Sequence, residues 1–169
     1  TTEMTSDGGD ALMDESSVTI SGGFGKIILG QNDGASTSYE VVSTSLPAEE
    51  IYAGIGTSND LVLTNAAISN LAGDDNKISY HLPAMGGLTA GVSFQNSGAA
   101  GSTDTTEFGA QYSMEAGGAA ITLGYASATK EASSQDTDST AIGVKIVSGN
   151  ISAAVSQSTF EKAATAAVA

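Results

Sequence analysis

Asn76-Lys77-Ile78-Ser79-Tyr80-His81-Leu82, a short Pro83–Gly87 break, and Leu88-Thr89-Ala90-Gly91-Val92-Ser93-Phe94-Gln95 form the stretch on which the fold turns. Side chains alternate across a strand, so Ile78, Tyr80 and Leu82 share one face while Lys77, Ser79 and His81 share the other. In the second segment Leu88, Ala90, Val92 and Phe94 likewise oppose Thr89, Gly91, Ser93 and Gln95. Two alternating segments joined by a tight Gly- and Pro-containing turn read as an antiparallel hairpin with one apolar and one polar face.

The same unit recurs on both sides. Glu15–Ser21 meets Phe24–Gln31 across Gly22-Gly23, Thr105–Met114 meets Ala119–Ala126 across Glu115–Gly118, and Ser139–Val147 meets Ile151–Ser158 across Ser148–Asn150. Much longer polar connections, Asn32–Asp75, Asn96–Asp104 and Ser127–Asp138, separate the pairs. The order is strand, tight turn, strand, long loop, repeated over about eight segments, close to the ~9–11 residues that a tilted transmembrane strand needs. Outer-membrane barrels put short turns on the periplasmic side and long loops outside. The expected fold is therefore all-β, an antiparallel up-and-down transmembrane β-barrel.

Alternation alone also fits a water-soluble sandwich, in which the apolar face would be the core. Tyr80, Phe94, Phe108, Tyr112 and Tyr125 all fall on apolar faces, and Phe94 and Phe108 lie near the long-loop ends of their strands, where a membrane-interface girdle would place them. Charged parities point the same way. If Ile27, Ile78 and Val144 face lipid, then Lys26, Lys77 and Lys145 face inward, joined by His81, Gln95, Glu107 and Gln111 as lumen-facing candidates. A charge on the lipid face would cost about 2–4 kcal/mol at mid-bilayer.

Composition narrows the function. The chain has 169 residues, no Cys, no Trp, 21 Gly and 2 Pro, with 5 basic residues against 19 acidic for a net charge of −14. Without Cys there is neither a disulfide framework nor thiol chemistry. All the basic residues are scattered lysines, so nucleic-acid binding has no electrostatic footprint. No apolar run approaches the length of a transmembrane helix, and His81 is the single histidine, which leaves no Ser-His-Asp triad and no zinc cluster beyond one ligand. A phosphate loop is absent, and Gly54-Ile55-Gly56 lacks the remainder of a dinucleotide fingerprint. The chain is not expected to be an enzyme or to need a cofactor. Glu49-Glu50 and Asp74-Asp75 are candidate hard-oxygen ligands for Ca²⁺, the alternative being ordinary solvated acids.

Two stretches resemble a known family. Ser17-Val18-Thr19-Ile20-Ser21-Gly22-Gly23-Phe24-Gly25-Lys26-Ile27-Ile28-Leu29-Gly30-Gln31-Asn32-Asp33-Gly34-Ala35-Ser36 is similar to the strand, GxFG turn and strand that precede the constriction loop of Gram-negative general porins, the alphaproteobacterial (Rhodobacter-like) type especially. Asp75–Pro83 followed by Gly86–Phe94 resembles the hairpin that follows that loop in the same family. The resemblance covers roughly residues 15–160. It implies a homotrimer in the outer membrane of a Gram-negative bacterium, passing ions and small hydrophilic solutes by passive diffusion. Because such barrels usually have sixteen strands and end on an aromatic residue, it also implies that this chain is an internal piece of one, with residues 1–169 forming part of a single barrel domain.

Residues 32–75 then correspond to the loop that folds inside the barrel and narrows the pore. By resemblance Glu40, Glu49, Glu50 and Asp60 are the candidates for its acidic side, which in the family faces a basic wall. This chain has no Arg, so the basic wall is expected either to come from strands outside these residues or to be absent, and a pore lacking it would favour cations. Local signals suggest helical turns within the loop at Ser45–Glu50 and Asn59–Leu71. The competing reading is a soluble, secreted all-β surface or adhesion module with an acidic surface, which would purify from water where a barrel would need detergent.

Overall fold

A computed structural model describes residues 2–5, 12–41, 76–96, 103–132 and 135–163. They form one antiparallel sheet of nine strands in strict sequence order: β1 (Thr2–Thr5), β2 (Leu12–Gly22), β3 (Gly25–Gln31), β4 (Asn76–His81), β5 (Leu88–Gln95), β6 (Asp104–Ala116), β7 (Ala119–Glu131), β8 (Thr137–Ser148) and β9 (Ile151–Lys162). Each strand pairs with its chain neighbours, and among the described residues no pairing joins β9 to β1, so the sheet is open. One short helix among the described residues, α1 (Ala35–Tyr39), follows β3. No helix among the described residues is long and apolar enough to cross a membrane, which says nothing about strands.

The expected all-β up-and-down architecture is what forms, with β1 as one strand more than the repeats suggested. The tight turns shrink to two residues where glycine permits it. Ala116 pairs with Ala119 across Gly117-Gly118, whose φ angles of 59° and 79° are the left-handed pair required by the hairpin turn that matches strand twist. Gly23-Phe24 closes β2 to β3, and Tyr80 on β4 donates its hydroxyl to Phe24 O at 2.6 Å, tying that turn to the next strand.

Register carries the alternation across the whole sheet. Val92 pairs with Phe108, Tyr112 with Leu123, and Tyr125 with Ile142, building one continuous apolar face. Those side chains are exposed, whereas Ser79, Ser93, Thr105 and Glu107 on the opposite face are buried. This inverts the pattern of a water-soluble domain, in which large apolar side chains fill the core. Ala126, Ala128 and Ala141 form a small buried apolar cluster, and they lie on the polar face.

Candidate functional site

Three adjacent strands each contribute one polar side chain to a buried cluster. Parity puts Lys77 of β4, Ser93 of β5 and Glu107 of β6 on the same face, and Ser93 and Glu107 are direct cross-strand partners. Glu107 accepts hydrogen bonds from Ser93 Oγ at 2.7 Å and Ser36 Oγ at 2.5 Å, and Lys77 Nζ lies 3.7 Å from Glu107 Oε2. The side chains of the ion pair are 0% and 1% exposed. A charge so sealed from water is tolerated only with an opposite charge and donors around it, since the desolvation of each ion alone costs several kcal/mol. A carboxylate is acceptor-only, which suits two hydroxyl donors and an ammonium.

What seals the cluster is the chain leaving β3. Asn32 bonds back to Gly30 O at 2.7 Å and accepts from Ser79 Oγ at 2.7 Å, which turns the backbone across β4 instead of away from the sheet. Gly34 then sits on the Glu107 carboxylate, so near that a Cβ there would lie 1.8 Å from Oε2. The Ala35 N–H donates to Ser93 Oγ at 2.9 Å, making Ser93 a relay between helix backbone and carboxylate. Helix α1 packs on β5, β6 and β7, and it ends with Tyr39 sharing a 2.8 Å hydrogen bond with His81 Nδ1. Burial raises the Tyr39 phenol above its ordinary value of 10.0. Beyond the helix, Val41 is buried against the same wall, and Glu40 accepts through its carbonyl from Gln111 Nε2 at 3.5 Å.

The residues expected to face inward thus have different fates. Lys77 and Glu107 are an ion pair under α1, His81 is bound to the helix through Tyr39, and Gln111 meets the segment at Glu40. Gln95 is buried on the same face, paired across to Thr105. Lys26 is exposed opposite His81, where it joins Asn32, Asp33 and Ser38 around a polar cavity of about 300 Å³. Lys145 is half-buried farther along the sheet, cross-strand from Thr122. Glu40 is half-buried at the end of α1, while Glu49, Glu50 and Asp60, both expected helical turns and Asp74-Asp75 fall outside the described residues.

A model of the Gram-negative porin family matches residues 1–169. The chain belongs to that family. No curated protein and no solved structure matches it. As a Gram-negative porin it is an outer-membrane channel protein, of a family that is non-enzymatic in general, and its exposed apolar face has hydrocarbon as its solvent. Membership speaks against the soluble adhesion module, since a porin presents apolar side chains outward and polar ones inward.

Several residues of the porin's site carried no flag in the sequence. Ser36 and Tyr39 sit in a stretch, Gly34-Ala35-Ser36-Thr37-Ser38-Tyr39, with no apolar periodicity to announce a helix. Ser79 and Ser93 read only as polar-face residues. A detectable signal did exist in the glycines of that face, Gly91, Gly109 and Gly124, which recur strand after strand where a wet wall has no need of them.

Proposed function

We propose that this porin forms a water-filled passage for ions and small hydrophilic solutes, narrowed from inside by residues 32–75, and that it favours cations. The observation that carries the reading is the first turn of that segment. Instead of leaving the sheet for solvent, it lies across the polar face and is held there by Glu107, Ser93 and His81. A segment rooted on the polar face extends into the lumen of a closed barrel, which makes 32–75 the constriction of a single barrel domain spanning 1–169. Glu40, Glu49, Glu50 and Asp60 are then its acidic side, with Lys26, Lys77, His81, Gln95, Glu107, Gln111 and Lys145 on the inner wall. Carboxylates projecting into a narrow passage, in a chain of net charge −14, concentrate cations and repel anions.

The outer edges of β1 and β9 bear on assembly. Backbone groups at lipid depth must all be paired, so both edges require strand partners in the membrane. The reading includes a homotrimer of the alphaproteobacterial general-porin type, supported by the two hairpins around the constriction. Transport by size and field requires no cofactor; Glu49-Glu50 and Asp74-Asp75 are the places where Ca²⁺ would find adjacent oxygen ligands. Reconstitution in a planar bilayer tests the proposal. Stepwise ohmic conductance is expected, with a cation preference that weakens when Glu49→Gln and Glu50→Gln are combined. A water-soluble monomer without conductance would overturn it.

A further inference from the structure

Four glycines on the polar face stand in adjacent strands: Gly91 in β5, Gly109 in β6, Gly124 in β7 and Gly143 in β8. Gly91 pairs directly with Gly109, and Gly124 with Gly143, while Gly109 faces Ala126, two residues along β7 from Gly124. The row therefore crosses four strands with a single step, a width of about 14 Å at ~4.8 Å per strand. None of the four has the positive φ that would demand glycine, in contrast to the turn glycines Gly86, Gly87, Gly117, Gly118 and Gly149. Glycine inside a strand weakens it and marks, in the absence of a bulge, a place where another backbone comes close.

Here that backbone belongs to α1 and Val41. A Cβ added at Gly109 would lie 2.2 Å from Ala35 O, at Gly143 1.8 Å from Val41 O, and at Gly124 2.5 Å from Val41 Cγ2. At Gly91 it would meet Tyr39 Cε2 at 2.8 Å. The wall is thus recessed along the track the segment follows, and Glu107 fixes the segment at its start through Ser36 and the Ala35–Ser93 relay.

We propose that Gly109, Gly124 and Gly143, together with Glu107, are positioning residues that set how far the constriction stands off the barrel wall, and so the width of the passage. This rests on the reading of residues 32–75 as an internal constriction. A methyl at Gly143 cannot be accommodated by a rotamer change, because the atom it meets is a backbone carbonyl; the root of the segment must move inward by about 1.5 Å to regain van der Waals distance. At Gly124 the first atom met is a side-chain methyl, so shortening Val41 gives back part of the space.

The test compares single-channel conductance and the cation-to-anion permeability ratio of the full chain carrying Gly143→Ala, Gly124→Ala, Gly124→Ala with Val41→Ala, and Gly23→Ala. The last is a turn glycine with open space around it. Gly143→Ala and Gly124→Ala are expected to lower conductance by about a fifth or more, as a passage of this kind responds to its narrowest diameter. Val41→Ala should restore part of the Gly124→Ala loss, and Gly23→Ala should match the unaltered protein. A merely structural role would shift heat resistance and leave the conductance of the inserted channel unchanged. Should the alanine variants fail to insert, Glu107→Gln and Ser36→Ala, which leave the wall backbone intact, are expected to raise open-channel noise as the root loosens. A conducting parent whose conductance and noise are the same in every inserted variant would overturn the proposal. A parent that does not conduct would instead overturn the channel reading on which it rests.

Discussion

Strands β5 and β6 carry the same alternation as β9, yet their polar faces meet opposite conditions. Ser93, Gln95, Thr105 and Glu107 are buried, and the first and last of these bond to each other beneath α1, whereas no residue of β9 is buried. Alternation decides which side chains share a face; the chain laid over that face decides what they must be. Under α1 the residues are a paired charge, serine donors and glycines. On β9 the same parity holds Ser152, Ala154, Ser156 and Ser158, small half-buried side chains, and then Phe160 and Lys162 at its far end. The polar wall of this porin is therefore two surfaces, one built to bind a segment of its own chain and one left to water.

The largest effect is expected where that difference is greatest. Glu107→Ala removes the carboxylate that faces Lys77 in a sealed site and the acceptor for two serines, so it should cost about 3–5 kcal/mol of stability in denaturant unfolding from lipid vesicles. Ser158→Ala on β9 should stay within about 0.5 kcal/mol. Equal losses at the two positions would break the comparison.

A second substitution contrasts the two faces instead of the two regions. Val92, on the apolar face of β5, is 46% exposed, and Val92→Arg there should destabilise by about 2–4 kcal/mol in the same measurement if the position lies near the bilayer midplane. Ser152→Arg, on the polar side of β9, should be tolerated.

The smallest effect concerns the end of the helix. Tyr39→Phe removes the bond to His81 and should cost about 1 kcal/mol. Its pH dependence has a definite sign. Burial raises the Tyr39 phenol above 10.0, so the folded state holds that proton more tightly than the unfolded chain. The contribution is fully present below pH 10 and declines as pH rises above it. Unfolding curves of the parent and Tyr39→Phe should therefore draw together above pH 10.

Much of the fold was legible because period two is a strong local signal: Ile78, Tyr80 and Leu82 against Lys77, Ser79 and His81 place a strand and both its faces from six residues. The hairpin turns were legible through glycine, and the structure trims two of them, Glu115–Gly118 to Gly117-Gly118 and Ser148–Asn150 to Gly149-Asn150, because pairing there runs to the last position that backbone geometry allows. The site was less so. Glu107 and Lys77 were assignable to the polar face, but their contact depends on three strands coming into register, and the cover over them depends on Ala35–Tyr39 forming a helix. That helix has little intrinsic propensity, with Ser and Thr at its centre, and it forms where the wall supplies partners for its backbone and hydroxyls. A preference that exists only in tertiary context leaves no periodic trace.

The bond between Ser36 and Glu107 spans 71 positions along the chain and passes over two strands, in a sheet whose strands otherwise pair only with the next in order. Hairpin closure at each turn needs only a short loop to form, whereas this contact must await a strand that comes much later. The order of assembly follows. While β3 and β4 are pairing, the exit of β3 has nowhere to dock; its seat is complete only once β5 to β8 stand side by side. On the proposed reading of residues 32–75 as an internal constriction, docking of its root is therefore expected among the last events of folding.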